Sequence, residues 1–338
     1  MKKLISLICV LAMVLALAAC GSSAPAAATE APAASTEAPA EDVSADKTFV
    51  VGICQLVQHP ALDAATQGFK DALTEALGDK VTFQEQNASG DSATCSLICN
   101  QFVSDEVDLI MANATASIQA AASATNTIPI LGTSITDYGV ALGVDNWTGV
   151  SGTNISGTSD LAPLDGQAAM IQELFPDAKT IGLLYCSGEP NSIFQADSME
   201  ALLTDMGYSV ERYTFADSND VSSVTANACS NSDVLYFPTD NTAASCTEAI
   251  NNVALSAGIP IVAGEEGLAS GCGVATLSIS YYDLGRATGE MAAEILTEGA
   301  DVSTMEVRFA PAFTKEYNAD ICEALNITVP EDYVAIAK

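Results

Sequence analysis

The sequence predicts an α/β protein made of two doubly wound, parallel-sheet lobes joined by a hinge. Three observations carry that prediction. From Thr48 onward, short apolar runs alternate with helical stretches. The runs, such as Phe49 to Cys54, are apolar almost throughout, as strands covered on both faces are. The rhythm restarts after about residue 160 for a second unit of similar length, which points to two lobes.

The chain opens with Lys2 and Lys3, an apolar run from Leu4 to Leu17 broken only by Ser6, and then Ala18-Ala19-Cys20-Gly21. A basic start, an apolar stretch short for a bilayer span and small residues before a cut describe an export signal over residues 1–19. A cysteine at the cut is the site where a bacterial lipoprotein receives its diacylglycerol, so Cys20 is the expected lipid anchor. Two acyl chains hold a protein at a membrane stably. Residues 20–47 follow with Ala, Pro, Ser, Thr and Glu, including TEAPA twice, and too little bulky apolar surface to order themselves. They are expected to form a disordered stalk, with the folded part over residues 48–338.

In the first lobe, about 48–155, strands are expected at Phe49 to Cys54, Val81 to Gln86, Val107 to Ala112 and Ile128 to Leu131. Between them lie an amphipathic helix at Ala61 to Leu77, with Ala64, Phe69, Leu73 and Leu77 near one stripe, and helices at Ser92 to Ser104 and Thr115 to Thr125. The glycine-rich stretch Gly149 to Gly157 is the expected first crossover. In the second lobe, about 160–280, helices are expected at Leu161 to Leu174, Ser192 to Met206, Val221 to Ala228 and Thr242 to Ala257. Its strands are Thr180 to Tyr185, Val210 to Phe215, Val234 to Phe237, Ile259 to Ala263 and Val274 to Ile279. A long helix from Tyr282 to Glu298 follows. Val307 to Ala310 and Glu316 to Leu325 close the chain, with a late segment returning to the first lobe and a C-terminal segment to the second.

Composition narrows the function. A net charge of -32 repels nucleic acid and anionic lipid, which argues against a DNA or RNA partner. The one histidine, His59, leaves any Ser-His-Asp or Cys-His triad a single candidate base. No Gly-x-Ser-x-Gly elbow follows a strand, and no phosphate loop or dinucleotide fingerprint follows the first strand, so neither catalysis nor a cofactor is expected. Cysteines such as Cys54 and Cys186 sit in apolar strand-like runs and are expected as packed free thiols. Cys95 and Cys99, four apart on a helix, share a face. The thiols are too scattered for a zinc site, so no metal is expected.

In open parallel sheets, ligands bind beyond the carboxyl ends of the strands. Here those ends read Gln55 to Pro60, Asn113 to Thr115 and Thr133 to Asp137 in the first unit. In the second they read Ser187 to Ser192, Pro238 to Asn241 and Gly264 to Gly267. Taken singly, Ser134, Asp240 and Asn113 read best as helix caps. Taken together, the polar ends describe a cleft lined by hydrogen-bonding groups. Helix N-termini there suit a carboxylate and the acidic residues suit a cation, so a zwitterion satisfies both.

The runs Gln55 to Asp63 (QLVQHPALD), Asn154 to Asp160, Pro238 to Asn241 and Gly264 to Gly267 resemble the TrpX-like substrate-binding lipoproteins of ABC importers, over Thr48 to Ala337. That resemblance implies a type I periplasmic-binding fold that closes on an aromatic amino acid. It also implies ABC permease subunits as partners, a monomer, and an extracytoplasmic, lipid-anchored location. The positions that match pocket-forming motifs are Gln55, His59, Asn113, Ala114, Thr136, Asp137, Ser156, Thr158, Ser159, Glu189, Asn191, Asp240, Asn241 and Glu265. Within that set, Ser156, Thr158 and Ser159 suit the carboxylate, and Asp240, Glu189 or Glu265 the ammonium. His59 is a candidate to stack on or hydrogen-bond a ring, or simply a helix-start residue before Pro60. Trp147 and Tyr138 either line the cleft or pack at its rim. A different amino acid, a nucleoside, a sugar or a ligand-sensing receptor role are the alternatives.

Overall fold

The structure, a computed structural model, describes residues 47–337; the export signal, Cys20 and the stalk up to residue 46 lie outside the described residues. Among the described residues no helix is long and apolar enough to cross a membrane.

Lobe 1 is built from β1 (Phe49–Gln55), α1 (Pro60–Leu77), β2 (Val81–Asn87), α2 (Ser92–Ser104), β3 (Leu109–Asn113), α3 (Thr115–Ala124), β4 (Ile130–Ile135), α4 (Tyr138–Leu142) and β5 (Ile155–Ser159). Lobe 2 follows with α5 (Leu164–Leu174), β6 (Thr180–Cys186), α6 (Pro190–Asp205), β7 (Ser209–Phe215), α7 (Val221–Cys229) and β8 (Val234–Phe237). It continues through α8 (Asn241–Ala244), α9 (Thr247–Ala257), β9 (Ile261–Ala263), α10 (Glu266–Gly271) and β10 (Ala275–Ser278). The chain then returns to lobe 1 for α11 (Tyr281–Glu298) and β11 (Arg308–Phe309). It ends in lobe 2 with β12 (Thr314–Tyr317), α12 (Ala319–Ala324) and β13 (Val334–Ala335).

The lobe 1 sheet runs β11-β5-β4-β3-β1-β2, and the lobe 2 sheet runs β13-β12-β10-β9-β8-β6-β7. Pairing is parallel except where β12 meets β10. Both faces of each sheet are buried, which is why the strands carry apolar residues at successive positions. In lobe 1, Phe102, Ile110 and Ile118 fill one face, and Phe69, Leu73, Met111 and Met291 the other. In lobe 2, Met199, Leu203 and Tyr236 pack on one side, and Phe215, Phe237 and Ile250 on the other.

Two sequence expectations change. Gly149 to Gly157 is not the crossover. Its last three residues open β5, an interior strand of lobe 1, and the chain crosses at residues 160–163, again at 279–280 and again at 310–313. Gly157 serves close packing: at φ 142° its backbone lies so near β4 that a Cβ would fall 2.1 Å from the Gly132 carbonyl oxygen. The single helix expected over Thr242 to Ala257 is two, because Cys246 leaves helical geometry at φ -137°, ψ 31°.

The return to lobe 1 depends on small residues. Helix α11 lies directly on α1, where a Cβ on Gly285 would sit 2.0 Å from the Ala65 carbonyl oxygen and one on Gly68 would sit 2.0 Å from that of Tyr282. Neither obstacle is a flexible side chain, so the helices would have to separate. Gly285→Ala is therefore expected to destabilise the domain by roughly 1–3 kcal/mol or more in urea unfolding. An exposed change on the same helix, Glu290→Ala, is expected to stay within about 0.5 kcal/mol.

Candidate ligand-binding site

Sheet order fixes where a cleft can form. Strand order reverses between β1 and β3 in lobe 1, where Gln55 pairs with Asn113, and between β6 and β8 in lobe 2. Connections leave such a point in opposite directions and open a crevice at the carboxyl ends. The two crevices face each other. His59 Nε2 lies 3.3 Å from Asn241 Oδ1, and Gln195 Nε2 lies 3.4 Å from Thr136 Oγ1, so the lobes are closed on one another. Between them is a cavity of about 390 Å³, lined by Leu56, Val57 and Ala116 from lobe 1 and Cys186, Glu189 and Asn241 from lobe 2.

Lobe 1 presents polar atoms that the protein leaves unsatisfied. Of the buried side-chain atoms without a partner among the described residues, four sit at its strand ends: His59 Nδ1, Asn113 Oδ1, Ser134 Oγ and Asp160 Oδ1. Asn113 is held by its amide, which donates to the Leu62 carbonyl at 2.9 Å and to Thr66 Oγ1 at 3.0 Å. Thr66 in turn donates to Gln55 Oε1 at 2.6 Å, and Gln55 donates to Asp63 at 2.6 Å. Gln55 therefore braces Asn113 and has no free polar atom of its own. Asp160 accepts from the Tyr281 hydroxyl at 2.9 Å through Oδ2, and the Thr136 side chain also interacts with the carboxylate. Burial pushes its carboxyl up to about 6, with the Tyr281 hydrogen bond acting the other way.

The loops beside these atoms are strained. Ala114 at φ 85° and Ser134 at φ 56° occupy the left-handed half of the map that non-glycine residues rarely enter. Ala114 is the residue that opens α3, so the first-turn N–H groups of Thr115 and Ala116 are left without intrahelical acceptors, next to the cavity that Ala116 lines.

Lobe 2 is the opposite case. The Asp240 carboxylate accepts from the Cys186 and Ala243 backbone N–H groups at 2.7 and 2.8 Å and caps α8. Burial and the neighbouring Glu189 carboxylate push its pKa up. Glu265 caps α10 through Gly267 and Leu268, and burial pushes it up to about 7. Glu189 accepts from the backbones and side chains of Asn241 and Thr242 and from Asn191 Nδ2. Asn191 also donates to the Thr239 carbonyl. None of the three acids expected to hold an ammonium has an oxygen left over, because helix starts and turns already use them.

The serine and threonine set is also spent. Strand β5 turns Ser156 and Thr158 to one face. There Ser156 donates to the Met305 carbonyl at 3.0 Å, and Thr158 meets Thr288 at 2.8 Å beneath α11. Ser159 donates to the Thr136 carbonyl at 3.0 Å and accepts from the Leu161 N–H, which shapes the first crossover. Asp137 caps α4. Tyr138 is buried in lobe 1, where its hydroxyl donates to Gly132 and Thr158 carbonyls and its ring stacks on Trp147, so this pair belongs to the core. Asp160, with an unsatisfied buried oxygen, and Gln195, which reaches Thr136 across the lobes, were not among the sequence candidates, and Ser134 was read there as a cap. Asp160 ends one of the motif runs and follows a strand directly, which was its only signal.

The eight cysteines of the described residues are free, and no cluster of three or more His, Cys, Asp or Glu side chains there is placed to hold a metal ion.

Comparison with known proteins agrees with this geometry. A family model described as ABC transporter substrate binding protein matches residues 50–338. A curated tyrosine-binding protein of Clostridioides difficile (strain R20291) is 38% identical over 280 residues, covering 82% of this chain and 81% of that protein. The crystal structure of an ABC domain in complex with L-Trp from Streptococcus pneumonia superposes with a TM-score of 0.80 at 32% identity, covering 84% of this chain and 97% of that one. A ligand-free, open substrate-binding protein with adhesive properties from Clostridium difficile is 38% identical, over 86% and 99% of the chains, yet superposes at only 0.66. The fold is thus the two-lobed type I architecture, and the match to a liganded structure exceeds that to an open one. The chain belongs to the ABC transporter substrate-binding protein family.

Proposed function

We propose that this chain captures an aromatic amino acid between its lobes for delivery to an ABC permease, acting by binding alone and anchored outside the cell through Cys20. The observation that carries the ligand class is the set of unsatisfied atoms at the lobe 1 strand ends. Asn113 Oδ1 and Asp160 Oδ1 are acceptors suited to an ammonium. The opening turn of α3 offers donors suited to a carboxylate. The 390 Å³ cavity that Ala116 of that turn lines has the size of a small solute site. The relatives support the side chain, since one is named for tyrosine and another was solved with L-Trp.

A thermal-shift screen of the twenty amino acids is expected to single out Tyr, Trp or Phe. Ligand at a hundred times its Kd stabilises by about 2.7 kcal/mol. A screen in which none of the three raises Tm removes the aromatic assignment.

Asp160→Asn keeps an acceptor for Tyr281 and removes the charge. It is expected to cost affinity roughly a hundredfold, since truncating a buried charge pair costs about 2–5 kcal/mol, with the melting curve of the free protein little changed. Asp240→Ala is expected to behave in reverse, lowering stability by about 0.5–2 kcal/mol through loss of the α8 cap. Calorimetry and unfolding on the same samples separate the two.

Acid should weaken binding. The Asp160 carboxyl lies near 3.9 in an unfolded chain and is pushed up to about 6 in the folded one. Its contribution to the stability of the free protein is complete below about pH 4 and is lost as pH rises through about 6. An ammonium needs the ionised form, so affinity should rise across that same window. Titrations at pH 5 and pH 7.5 are expected to differ by about tenfold, and Asp160→Asn should flatten the difference.

A further inference from the structure

His59 is the one histidine of the chain and is 6% exposed at the entry to α1. Its side chain caps nothing; Pro60 starts the helix instead. Its two ring nitrogens face different groups. Nε2 meets Asn241 Oδ1 across the cleft at 3.3 Å, while Nδ1 is buried without a protein partner.

The network around Asn241 settles which nitrogen carries the hydrogen. Asn241 Nδ2 donates to Glu189 Oε2 at 2.8 Å. The same carboxylate accepts from the Asn241 and Thr242 N–H groups, Thr242 Oγ1 and Asn191 Nδ2. A carboxylate ringed by donors acts as an acceptor, so the Asn241 amide must turn its NH₂ toward Glu189 and its carbonyl toward His59. Two acceptors do not bond, so Nε2 bears the hydrogen and Nδ1 keeps its lone pair. Burial lowers the ring's pKa and favours this neutral form, with the Asp63 and Glu189 carboxylates acting the other way.

Two unpartnered acceptors then lie at the first turn of α1. Nδ1 belongs to His59 itself. Asn113, whose Oδ1 is the second, is tied to the Leu62 carbonyl. Both atoms are acceptors, the role that the hydrogens of an ammonium require. Resting on the amino-acid reading above, we propose that His59 couples capture to closure. Its bare Nδ1 accepts one hydrogen of the ligand's ammonium, and its Nε2–H holds lobe 2 through Asn241 and Glu189. A ligand without that ammonium leaves the ring free to turn and the lobes unlatched.

With a single histidine, the full chain labelled with ¹⁵N-histidine gives one imidazole to follow by NMR. The Nε2–H tautomer is expected in the free protein. Saturating L-tyrosine, L-tryptophan or L-phenylalanine should move the Nδ1 resonance upfield, whereas the desamino analogue of whichever binds should not. His59→Gln, which retains a donor for Asn241, is expected to lose affinity about tenfold or more, the worth of one hydrogen bond to a charged group. An Nδ1–H tautomer, an unmoved Nδ1 resonance in a complex that calorimetry shows to be formed, or unchanged affinity in His59→Gln would each overturn the coupling and leave the amino-acid reading standing. If none of the three amino acids binds the unaltered protein, both fall.

Discussion

A buried polar atom without a partner costs about 1–3 kcal/mol, and lobe 1 holds four of them at its strand ends. The rest of the site depends on that constraint. Proteins seldom leave such groups bare, and here they cluster where the topology opens a crevice rather than scatter through the core. A ligand that brings the missing partners relieves the cost. The site carries strain and desolvation, both of which the surrounding fold has to outweigh. The left-handed turns at Ala114 and Ser134 are part of the same arrangement.

The lobes divide the work unequally. Lobe 1 carries the unmet hydrogen bonds, and lobe 2 faces it with carboxylates already satisfied by its own helix starts. Lobe 1 is thus the face with hydrogen-bonding atoms to spare, and lobe 2 the face whose acids are already engaged. The contacts between facing side chains, His59 to Asn241 and Gln195 to Thr136, are long at 3.3 and 3.4 Å and contribute little alone. A ligand bound to both lobes shifts an open–closed balance only by its difference in affinity for the two forms. A weak latch suits that task, because it leaves the ligand to decide the outcome.

Rigidity of each half makes this hinge motion clean. Both sheets are sealed on two faces, and the glycine-mediated seat of α11 on α1 locks the returning segment into lobe 1. Movement is left to the short crossings. The Asp160–Tyr281 hydrogen bond ties the first crossing to the start of α11, just past the second, which places a buried carboxylate at the hinge.

The sequence by itself determined the two-lobed parallel α/β architecture and the set of strand ends that meet. Continuous apolar runs and helical periodicity are local signals and survive without coordinates, and the motif runs carried the family. It also listed Asn113, Ala114 and His59, and the fold puts all three at or just beyond strand ends of lobe 1, with His59 reaching Asn241 of lobe 2. Tertiary structure decided which polar atoms remain free. Asp240, Glu265 and Glu189 are acids at helix starts in the sequence, and only the fold shows backbone N–H groups occupying every oxygen. Gly149 to Gly157 read as a hinge because glycine marks both flexibility and close approach, and only the neighbour at Gly132 tells them apart. Asp160 stood in plain view, but burial and a half-filled carboxylate are properties of the folded chain. Composition fixes which hydrogen-bonding groups exist; packing alone fixes which of them are left unpaired.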